Sequence, residues 1–384
     1  MIKTGNFLKF NPCLFHTKNE HSGKETSKLK RYGNLYRKIC SIENLKEAHK
    51  NARKDKLFYQ EVKMVDSDLN YYINQIHEML VTHSYVITPD RYTVTVINDK
   101  GKDRELAKLP YFPDRIIQWA IMLQIEPVFM EVFCSHTCAS IKNRGISRAK
   151  DLLNKYLKDV EGTQYCLKLD IRKFYPSIDH TILKNLLRRK FKDKELLSLL
   201  DMIIDSSPHE TGVPIGSYLS QFLANYYLAY FDHWMKEDLG IQYVIRYMDD
   251  VIVLSDSKEH LHEVRKSIDE YLQDNLNLHL KDNWQVFPVE SRGIDFVGFR
   301  SFHRFCLLRK KTCGRFKKKM TKLKKKQDKG HLFNYSEWCS GNSYKGWLKM
   351  CDGFRLYQKY IEPIQASLDR YYQEVIKQRK VVTV

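Results

Sequence analysis

The segment Val244–Leu254, which reads VIRYMDDVIVL, places two adjacent carboxylates, Asp249 and Asp250, between two apolar runs. Adjacent carboxylates repel each other and are costly to remove from water. Divalent cations would relieve this repulsion, and two metals about 4 Å apart can stabilise the attacking and leaving oxygens of an in-line phosphoryl displacement. The alternative is a solvated hairpin turn, because turns favour aspartate, although the flanking residues include no Gly or Asn to shape an ordinary turn.

A third carboxylate stands earlier in the chain. Tyr165–Asp179, which reads YCLKLDIRKFYPSID, begins as a strand that carries Asp170 at its end. After it the pattern predicts a long helix (Gly212–Met235) and then a strand–turn–strand around the paired aspartates. Another helix and the strand Gly293–Phe299 come next. This order is close to a split βαβ unit on a small antiparallel sheet, which would set Asp170 beside the pair. The predicted ligand is Mg²⁺, because it keeps its waters and shares its ligands with phosphates.

The chain of 384 residues divides by pattern into three predicted domains. Residues 1–85 combine a polar basic arm, which includes Lys24 and Lys28, with helical periodicity. Residues 86–300 hold the carboxylate segments, a hairpin at Tyr92–Leu106 and an apolar helix at Asp114–Phe129. Residues 301–384 are basic and helical. The arm is expected either to hold a structured RNA or to remain a solvated extension.

Charge is concentrated at the end of the chain. Ser301–Val384 carries 21 Lys and Arg against 6 Asp and Glu, which is +15 of the net charge of +19. Such a field attracts polyanions and indicates nucleic acid as a partner; a solvated basic tail is the alternative. No apolar run approaches the roughly 18 residues of a membrane span, and the first residues lack the apolar core of a signal peptide. We therefore expect no membrane association and a cytoplasmic protein.

Several segments resemble the sequence boxes of one enzyme family. RYMDDVIVLS resembles the catalytic box of reverse transcriptases, LKLDIRKFYPSIDH their first metal-binding box, and GVPIGSYLSQFLANYYL the box that follows it. LPYFPDRIIQWAI resembles the fingers segment of bacterial, group-II-intron-like enzymes, and LNLHLKDNW and GIDFVGF resemble later palm boxes. The resemblance runs from about Leu35 to about Tyr360. It implies an α+β, right-hand polymerase with fingers and palm in residues 86–300 and a helical thumb in residues 301–384.

The resemblance assigns roles at the catalytic centre. Asp170 and Asp249 would hold two Mg²⁺ ions, which Mn²⁺ can replace, with the Ile171 carbonyl as a further ligand and Asp250 as a supporting carboxylate. Lys281 would act as a general acid towards the leaving pyrophosphate, or is an ordinary surface lysine.

Other residues are implied in nucleotide and nucleic-acid binding. Tyr175 matches the aromatic residue that crowds a 2′-OH and so selects dNTPs; the alternative is a core aromatic. The remaining candidates for the nucleotide are Lys102, Arg104, Lys108, Ile215, Gly216 and Gln221. Those for the backbones of an RNA–DNA duplex are Arg315, Lys317, Lys318, Lys319, Lys322, Lys324 and Lys325. Trp347, Phe354 and Tyr357, at helical spacings, favour a helical-bundle core over a stacking platform.

Two departures from the family pattern bear on the biological role. An aliphatic residue, Ile215, precedes Gly216, and Gln221 follows Ser220, which resembles the error-prone enzymes of diversity-generating retroelements. Ile141 stands where those enzymes usually have arginine, which favours the related "unknown group" enzymes of anti-phage defence. The expected function is therefore synthesis of cDNA from a partner noncoding RNA, with an accessory protein or a second copy of the chain. Retroelement copying, template-independent nucleotidyl transfer and a catalytically silent RNA-binding scaffold are the alternatives.

Overall fold

The computed structural model describes residues 30–99 and 101–377, so Lys24 and Lys28 of the predicted arm lie outside the described residues. Its strands are β1 (Thr93–Asp99), β2 (Lys102–Lys108), β3 (Tyr165–Asp170), β4 (Tyr243–Tyr247), β5 (Asp250–Ser255), β6 (Gln285–Pro288), β7 (Ile294–Phe296), β8 (Phe299–Ser301) and β9 (Cys306–Leu308). Its first ten helices are α1 (Tyr36–Cys40), α2 (Ile42–Ala52), α3 (Gln60–Ser67), α4 (Leu69–Val81), α5 (Ile116–Met130), α6 (Gly145–Tyr156), α7 (His180–Lys190), α8 (Lys194–Asp205), α9 (Tyr218–Tyr227) and α10 (Ala229–Glu237). The next six are α11 (Lys258–Leu276), α12 (Val289–Arg292), α13 (Lys310–Asp328), α14 (Tyr335–Lys349), α15 (Phe354–Tyr360) and α16 (Gln365–Tyr371).

The described chain forms two compact units. The first comprises the residues up to Ile141, Leu169–Val251 and Glu263–Trp284. The second comprises Lys142–Lys168, Ile252–His262 and the residues from Gln285 onwards. The predicted domain boundaries after residues 85 and 300 stay predictions. None of the helices formed by residues 30–99 and 101–377 is both long enough and apolar enough to cross a membrane.

The central sheet has the strand order β4-β5-β3-β6. In the second unit β3 pairs antiparallel with β6, Tyr165 opposite Pro288 and Lys168 opposite Gln285. Along the chain, helices α7–α10 lie between β3 and β4, and helix α11 lies between β5 and β6. The predicted order of strand, helix, hairpin, helix and strand is present, but its last strand is β6 and not the predicted Gly293–Phe299, whose residues contribute to β7 and β8 of a separate three-stranded sheet.

The first unit also contains a two-stranded hairpin. Strands β1 and β2 pair from Thr93 opposite Lys108 to Asp99 opposite Lys102, which confirms the hairpin predicted from alternation. The predicted apolar helix is confirmed as α5, although it begins two residues later than expected, at Ile116. Nine of its fifteen residues are buried, as expected of a core helix that is apolar on most faces.

The second unit has its own apolar core around α13. Phe316, Met320 and Leu323, at helical spacing, are buried there with Leu348 of α14. Trp347 and Tyr357 pack against this core, as predicted, but Phe354 is 70% exposed. Phe354 is the first residue of α15 and directly follows Gly353, so its side chain points to solvent although its spacing suggested core.

The predicted strand Gly293–Phe299 is two strands, β7 and β8, and not one. Val297 and Gly298, between them, both have positive φ angles (41° and 93°). A β-branched residue adopts such an angle only where the surrounding structure imposes it, and a Cβ at Gly298 would lie 2.4 Å from the Trp347 ring. The turn is therefore set by tertiary packing, which the sequence pattern did not reveal.

Candidate active site

The first unit brings the ends of β3 and β4 together. The Ile171 N–H donates a hydrogen bond to the Asp249 carbonyl (3.1 Å), and the Lys281 N–H donates to the Asp170 carbonyl (2.9 Å). These backbone bonds join three segments that are distant in the chain. They place Asp170 and Asp249 next to each other, as the sequence predicted.

The turn between β4 and β5 has an unusual backbone. Met248 has a φ of 56°, the left-handed region that non-glycine residues rarely enter. Its carbonyl accepts a hydrogen bond of 3.0 Å from Nη1 of Arg246, which is fully buried. The Arg246 guanidinium therefore holds the turn that carries Asp249.

Arg246 is itself held by a buried carboxylate. Its Nε and Nη2 donate to the two oxygens of Asp232 at 2.7 and 2.6 Å, a bidentate pair with both side chains fully buried. Although burial pushes the pKa of Asp232 up, the Arg246 charge and hydrogen bonds hold that pKa below its ordinary value. Thr137 Oγ1 also donates to this carboxylate (2.6 Å), and Asn225 Oδ1 accepts from Arg246 (3.2 Å).

Arg246 and Asp232 were not predicted as site residues from the sequence. A signal was present: an arginine between Val244-Ile245 and Tyr247 in an apolar strand must have a partner if it is buried. The partner could not be identified, because Asp232 lies on α10, in a separate element of the fold.

The carboxylates of the centre repel one another. The pKa of Asp249 is raised to about 6, first by burial and then by the charges of Asp170 and Asp250. Lys281 offsets part of this charge, because its Nζ forms an ion pair with the Asp170 carboxylate. The centre thus combines closely spaced anions with the cation of Lys281.

Tyr175 lies beside the same turn. Its hydroxyl contacts the Met248 sulfur at 3.7 Å. Burial, followed by the negative charge of Asp249, raises the pKa of its phenol. The structure therefore brings the predicted gate residue to the candidate catalytic aspartates.

The predicted nucleotide-binding residues are only partly brought together. The Ala107 N–H, in β2, donates to the Ile215 carbonyl (3.2 Å), so the base of the hairpin meets the Ile215–Gly216 turn. Lys108 and Gly216 line one cavity there. Arg104 is exposed further along β2, Gln221 is half-buried in α9, and the side chain of Lys102 lies outside the described part of the chain.

The predicted duplex-binding cations all lie on α13 in the second unit. Those with exposed side chains are Arg315, Lys317, Lys318, Lys322 and Lys325, whereas Lys319 and Lys324 are half-buried. Phe316, Met320 and Leu323 of the same helix are buried. The helix therefore presents a basic face to solvent and an apolar face to its core.

The donor chemistry of the centre fits a hard divalent cation. Carboxylate oxygens are the protein ligands that Mg²⁺ prefers, and burial together with the charges of Asp170 and Asp250 disfavours the negative charge of Asp249 and raises its pKa. Among the residues that the structure describes, no three His, Cys, Asp or Glu side chains form a ready-made metal cluster. Mg²⁺ commonly takes its remaining ligands from water and substrate phosphates.

Residues 97–301 match the family model described as reverse transcriptase (RNA-dependent DNA polymerase), which is more than half of the chain. The chain belongs to this family. The family predicted from the sequence is confirmed, and with it the enzyme class, an RNA-directed DNA polymerase. The predicted α+β, right-hand polymerase fold is confirmed too, since the matched residues contain all four strands of the sheet β4-β5-β3-β6.

Relatives of this reverse transcriptase share little sequence identity with it. Protein YkfC of Escherichia coli is 22% identical over 62% of this chain and 73% of that protein. Nuclear intron maturase 4 of Arabidopsis thaliana is 22% identical over 68% of this chain and 38% of that protein. Group II intron-encoded protein LtrA of Lactococcus lactis is 27% identical over 43% of this chain and 28% of that protein. Two of the three are intron proteins by name, in agreement with the predicted group-II-intron-like character, and the chain spans less than half of their length.

A solved structure, apo telomerase from Candida tropicalis, is similar with a TM-score of 0.48 and 12% identity, over 74% of this chain and 58% of that chain.

Proposed function

We propose that this reverse transcriptase copies a partner noncoding RNA into cDNA by two-metal nucleotidyl transfer at Asp170 and Asp249. The juxtaposition of these two aspartates, joined through the Ile171–Asp249 backbone bond of 3.1 Å, is the observation that carries the proposal. Asp170, Asp249 and the Ile171 carbonyl would hold two Mg²⁺ ions, or Mn²⁺ in their place, which would activate the attacking oxygen and stabilise the leaving one. Asp250 would support them from the start of β5.

The residues around the aspartates have distinct proposed tasks. Lys281 would donate a proton to the leaving pyrophosphate, and Tyr175 would exclude a 2′-OH. The basic face of α13 would hold the phosphate backbones of an RNA–DNA duplex, contacts that position a strand without reading its sequence. Lys102, Arg104 and Lys108 would bind the incoming triphosphate, with Ile215, Gly216 and Gln221 beside the nascent pair.

The biological setting of this proposal is anti-phage defence in the cytoplasm. It rests on Ile141, a buried residue in this structure, which departs from the arginine usual in retroelement and intron enzymes and so favours the related "unknown group" enzymes. Ile215 favours a second candidate, error-prone copying in a diversity-generating retroelement, because an aliphatic side chain offers no amide to bond near the base pair. A protein partner or a second copy of the chain would contribute to priming and template choice, which the polymerase itself does not supply.

Sequencing of the nucleic acid that co-purifies with the chain tests the proposed function. We expect cDNA complementary to one discrete bound RNA. Low-complexity DNA that matches no RNA would instead identify a template-independent transferase. RNA without any DNA, even after addition of Mg²⁺ and dNTPs, would contradict the proposal and favour a silent scaffold.

Substitution of Tyr175 should change the choice of sugar. Because Tyr175 lies against Met248 and near Asp249, Tyr175→Ala would open space for a 2′-OH, and we expect ribonucleotide incorporation relative to dNTPs to rise by about 10-fold or more. Tyr175→Phe keeps the ring and serves as the control, with little change expected. Single-nucleotide extension with dNTP and NTP pairs measures the ratio; equal ratios for both variants would rule out a gate at this position.

Substitution of Lys281 should slow the chemical step. Removal of a general acid typically costs about 10²-fold or more, so Lys281→Met should lower kcat and flatten the alkaline limb of the pH profile with little change in KM for dNTP. Lys266→Met, at an exposed position of α11, is the matched control. An unchanged pH profile alongside a reduced rate would assign Lys281 to charge balance at Asp170 and not to proton transfer.

A further inference from the structure

In the part of the chain that the structure describes, the β1–β2 hairpin of the first unit has one edge that no other strand covers. Strands β1 and β2 form a sheet of two strands. Every residue from Thr93 to Asn98 in β1 is exposed to solvent. A strand edge of this kind presents a row of N–H and C=O groups, which is a template for pairing with another chain.

The register of the hairpin decides which backbone groups point to this edge. Val94 lies opposite Ala107 of β2. The Ala107 N–H donates to the Ile215 carbonyl (3.2 Å) and therefore points away from β1. Val94 and Ala107 are thus a pair that exchanges no backbone hydrogen bonds, and in an antiparallel ladder such pairs alternate with bonded ones. The N–H and C=O groups of Val94, Val96 and Asn98 are therefore directed to the edge that faces away from β2.

The two strands of the hairpin differ in charge. Thr93–Asn98 reads TVTVIN and contains no charged residue, whereas β2 reads KDRELAK and contains five. Three large apolar side chains of β1 are exposed, Val94 by 46%, Val96 by 63% and Ile97 by 42%. Charged residues are a common protection of an edge strand against pairing. The hairpin therefore has this protection on β2 and lacks it on β1.

The sequence of β1 is complementary to itself about a two-fold axis at Val96, the midpoint of the strand. In an antiparallel pair of two copies, Val96 would lie opposite Val96, Val94 opposite Asn98 and Thr95 opposite Ile97. Because the backbone groups of Val94, Val96 and Asn98 all point to the edge, this register allows each of them to form hydrogen bonds with the second copy. The net charge of +19 makes two copies repel each other, and an uncharged strand is a place where they can meet without opposing like charges.

We propose that two copies of the chain associate through β1, antiparallel and with Val96 opposite Val96, to form a four-stranded sheet in the order β2-β1-β1-β2. The inference rests on the second copy of the chain in the proposed function, and it names the surface through which that copy binds. The two-fold axis closes the contact, and the charged β2 strands at both outer edges oppose further growth, so the product is a dimer. Arg104, exposed on β2, stays outside the contact.

Cysteine cross-linking of the full chain tests the contact and its register. Val96→Cys should form an intermolecular disulfide on mild oxidation with glutathione disulfide, because directly opposite residues of an antiparallel pair have Cα atoms about 4.5–5.5 Å apart. Val94→Cys alone should form none, because its counterpart lies four residues further along the second strand, about 13 Å away. A mixture of Thr95→Cys and Ile97→Cys chains should cross-link to each other. The unsubstituted chain gives the background from the nine native cysteines.

A charge at the two-fold axis should separate the copies. Val96→Lys places two lysines opposite each other and should raise the dissociation constant of the dimer by about 10-fold or more, measured by sedimentation velocity from about 1 to 100 µM protein. The exposed position of Val96 makes loss of the fold unexpected. Val81→Lys, at a 53% exposed position that ends α4, is the matched control and should leave the dimer unchanged.

A chain that stays monomeric up to about 100 µM and gives no Val96→Cys cross-link would overturn the inference. Dimers that survive Val96→Lys, or Val94→Cys chains that cross-link as well as Val96→Cys chains, would also overturn it. A Val96→Cys chain that links in cell extract to another polypeptide, and not to its own copy, would assign the edge to a different partner.

Failure of the inference is separable from failure of the proposed function. Asp249→Asn should abolish primer extension and leave the Val96→Cys cross-link intact, which would support a dimer independent of the chemistry. RNA-templated extension by a chain that never forms the cross-link would refute the interface alone. A chain that forms the cross-link but never extends a primer would refute the polymerase proposal alone.

Discussion

Replacement of Asp249 by asparagine is expected to reduce RNA-templated primer extension by about 10³-fold or more. The substitution keeps the shape of the side chain and removes its negative charge. Stabilisation of transition-state charge by bound metals contributes several kcal/mol, and each 1.4 kcal/mol or so corresponds to a factor of 10 in rate. Single-turnover extension with saturating dNTP, in Mg²⁺ and separately in Mn²⁺, measures the loss.

A stability measurement distinguishes a variant that has lost catalysis from a variant that has lost its fold. Asp249 is an anion disfavoured by burial and by its neighbours Asp170 and Asp250, so a neutral asparagine should leave the unfolding temperature unchanged or raise it. Asp238→Asn, at an exposed position at the end of α10, should alter neither rate nor stability. Retention of more than about a tenth of the rate by Asp249→Asn would contradict a metal-binding role.

Replacement of Arg246 by methionine is expected to lower the free energy of unfolding by about 3–5 kcal/mol, because removal of one partner of a buried ion pair leaves the other charge uncompensated. Here that charge is Asp232, which is fully buried. Denaturant unfolding, with the slope checked for constancy, measures the change. Arg265→Met removes a half-exposed pair with Asp269 (3.4 Å) and should cost less than about 1 kcal/mol.

A double variant distinguishes the structural role of Arg246 from its role at the turn. Arg246→Met with Asp232→Asn removes both charges and retains a partner for the Thr137 hydroxyl, so much of the stability should return. Extension activity should stay low, because the Met248 carbonyl still lacks its donor. Recovery of activity together with stability would show that Arg246 does not position the turn.

Local patterns and the family resemblance together predicted which segments meet at the candidate catalytic centre. The alternation of side-chain types along Tyr92–Leu106 predicted the β1–β2 hairpin. The position of Asp170 at the end of a strand predicted that it lies beside Asp249. Both follow from periodicity and chain order, which are properties of short segments. The sequence also marked Lys281 as a catalytic candidate.

The features that the sequence did not predict depend on contacts between residues that are distant in the chain. The ion pair between Lys281 and Asp170 joins residues 111 positions apart, and Asp232 meets Arg246 from a separate helix. The break between β7 and β8 depends on a positive φ at Val297. Such an angle is not expected at a β-branched residue, so the sequence did not predict it. The cavity lined by Lys108 and Gly216 likewise arises from segments that are separate in the chain.

The distance along the chain between Asp170 and Lys281 has a consequence for synthesis of the protein. The first unit is discontinuous, and its last segment extends to Trp284. A nascent chain that has not yet released this segment from the ribosome cannot close the centre, since contacts between distant residues form only after the intervening chain is available. Nascent chains arrested before residue 281 would therefore be inert, and competence would arise only after the segment up to Trp284 has left the ribosome.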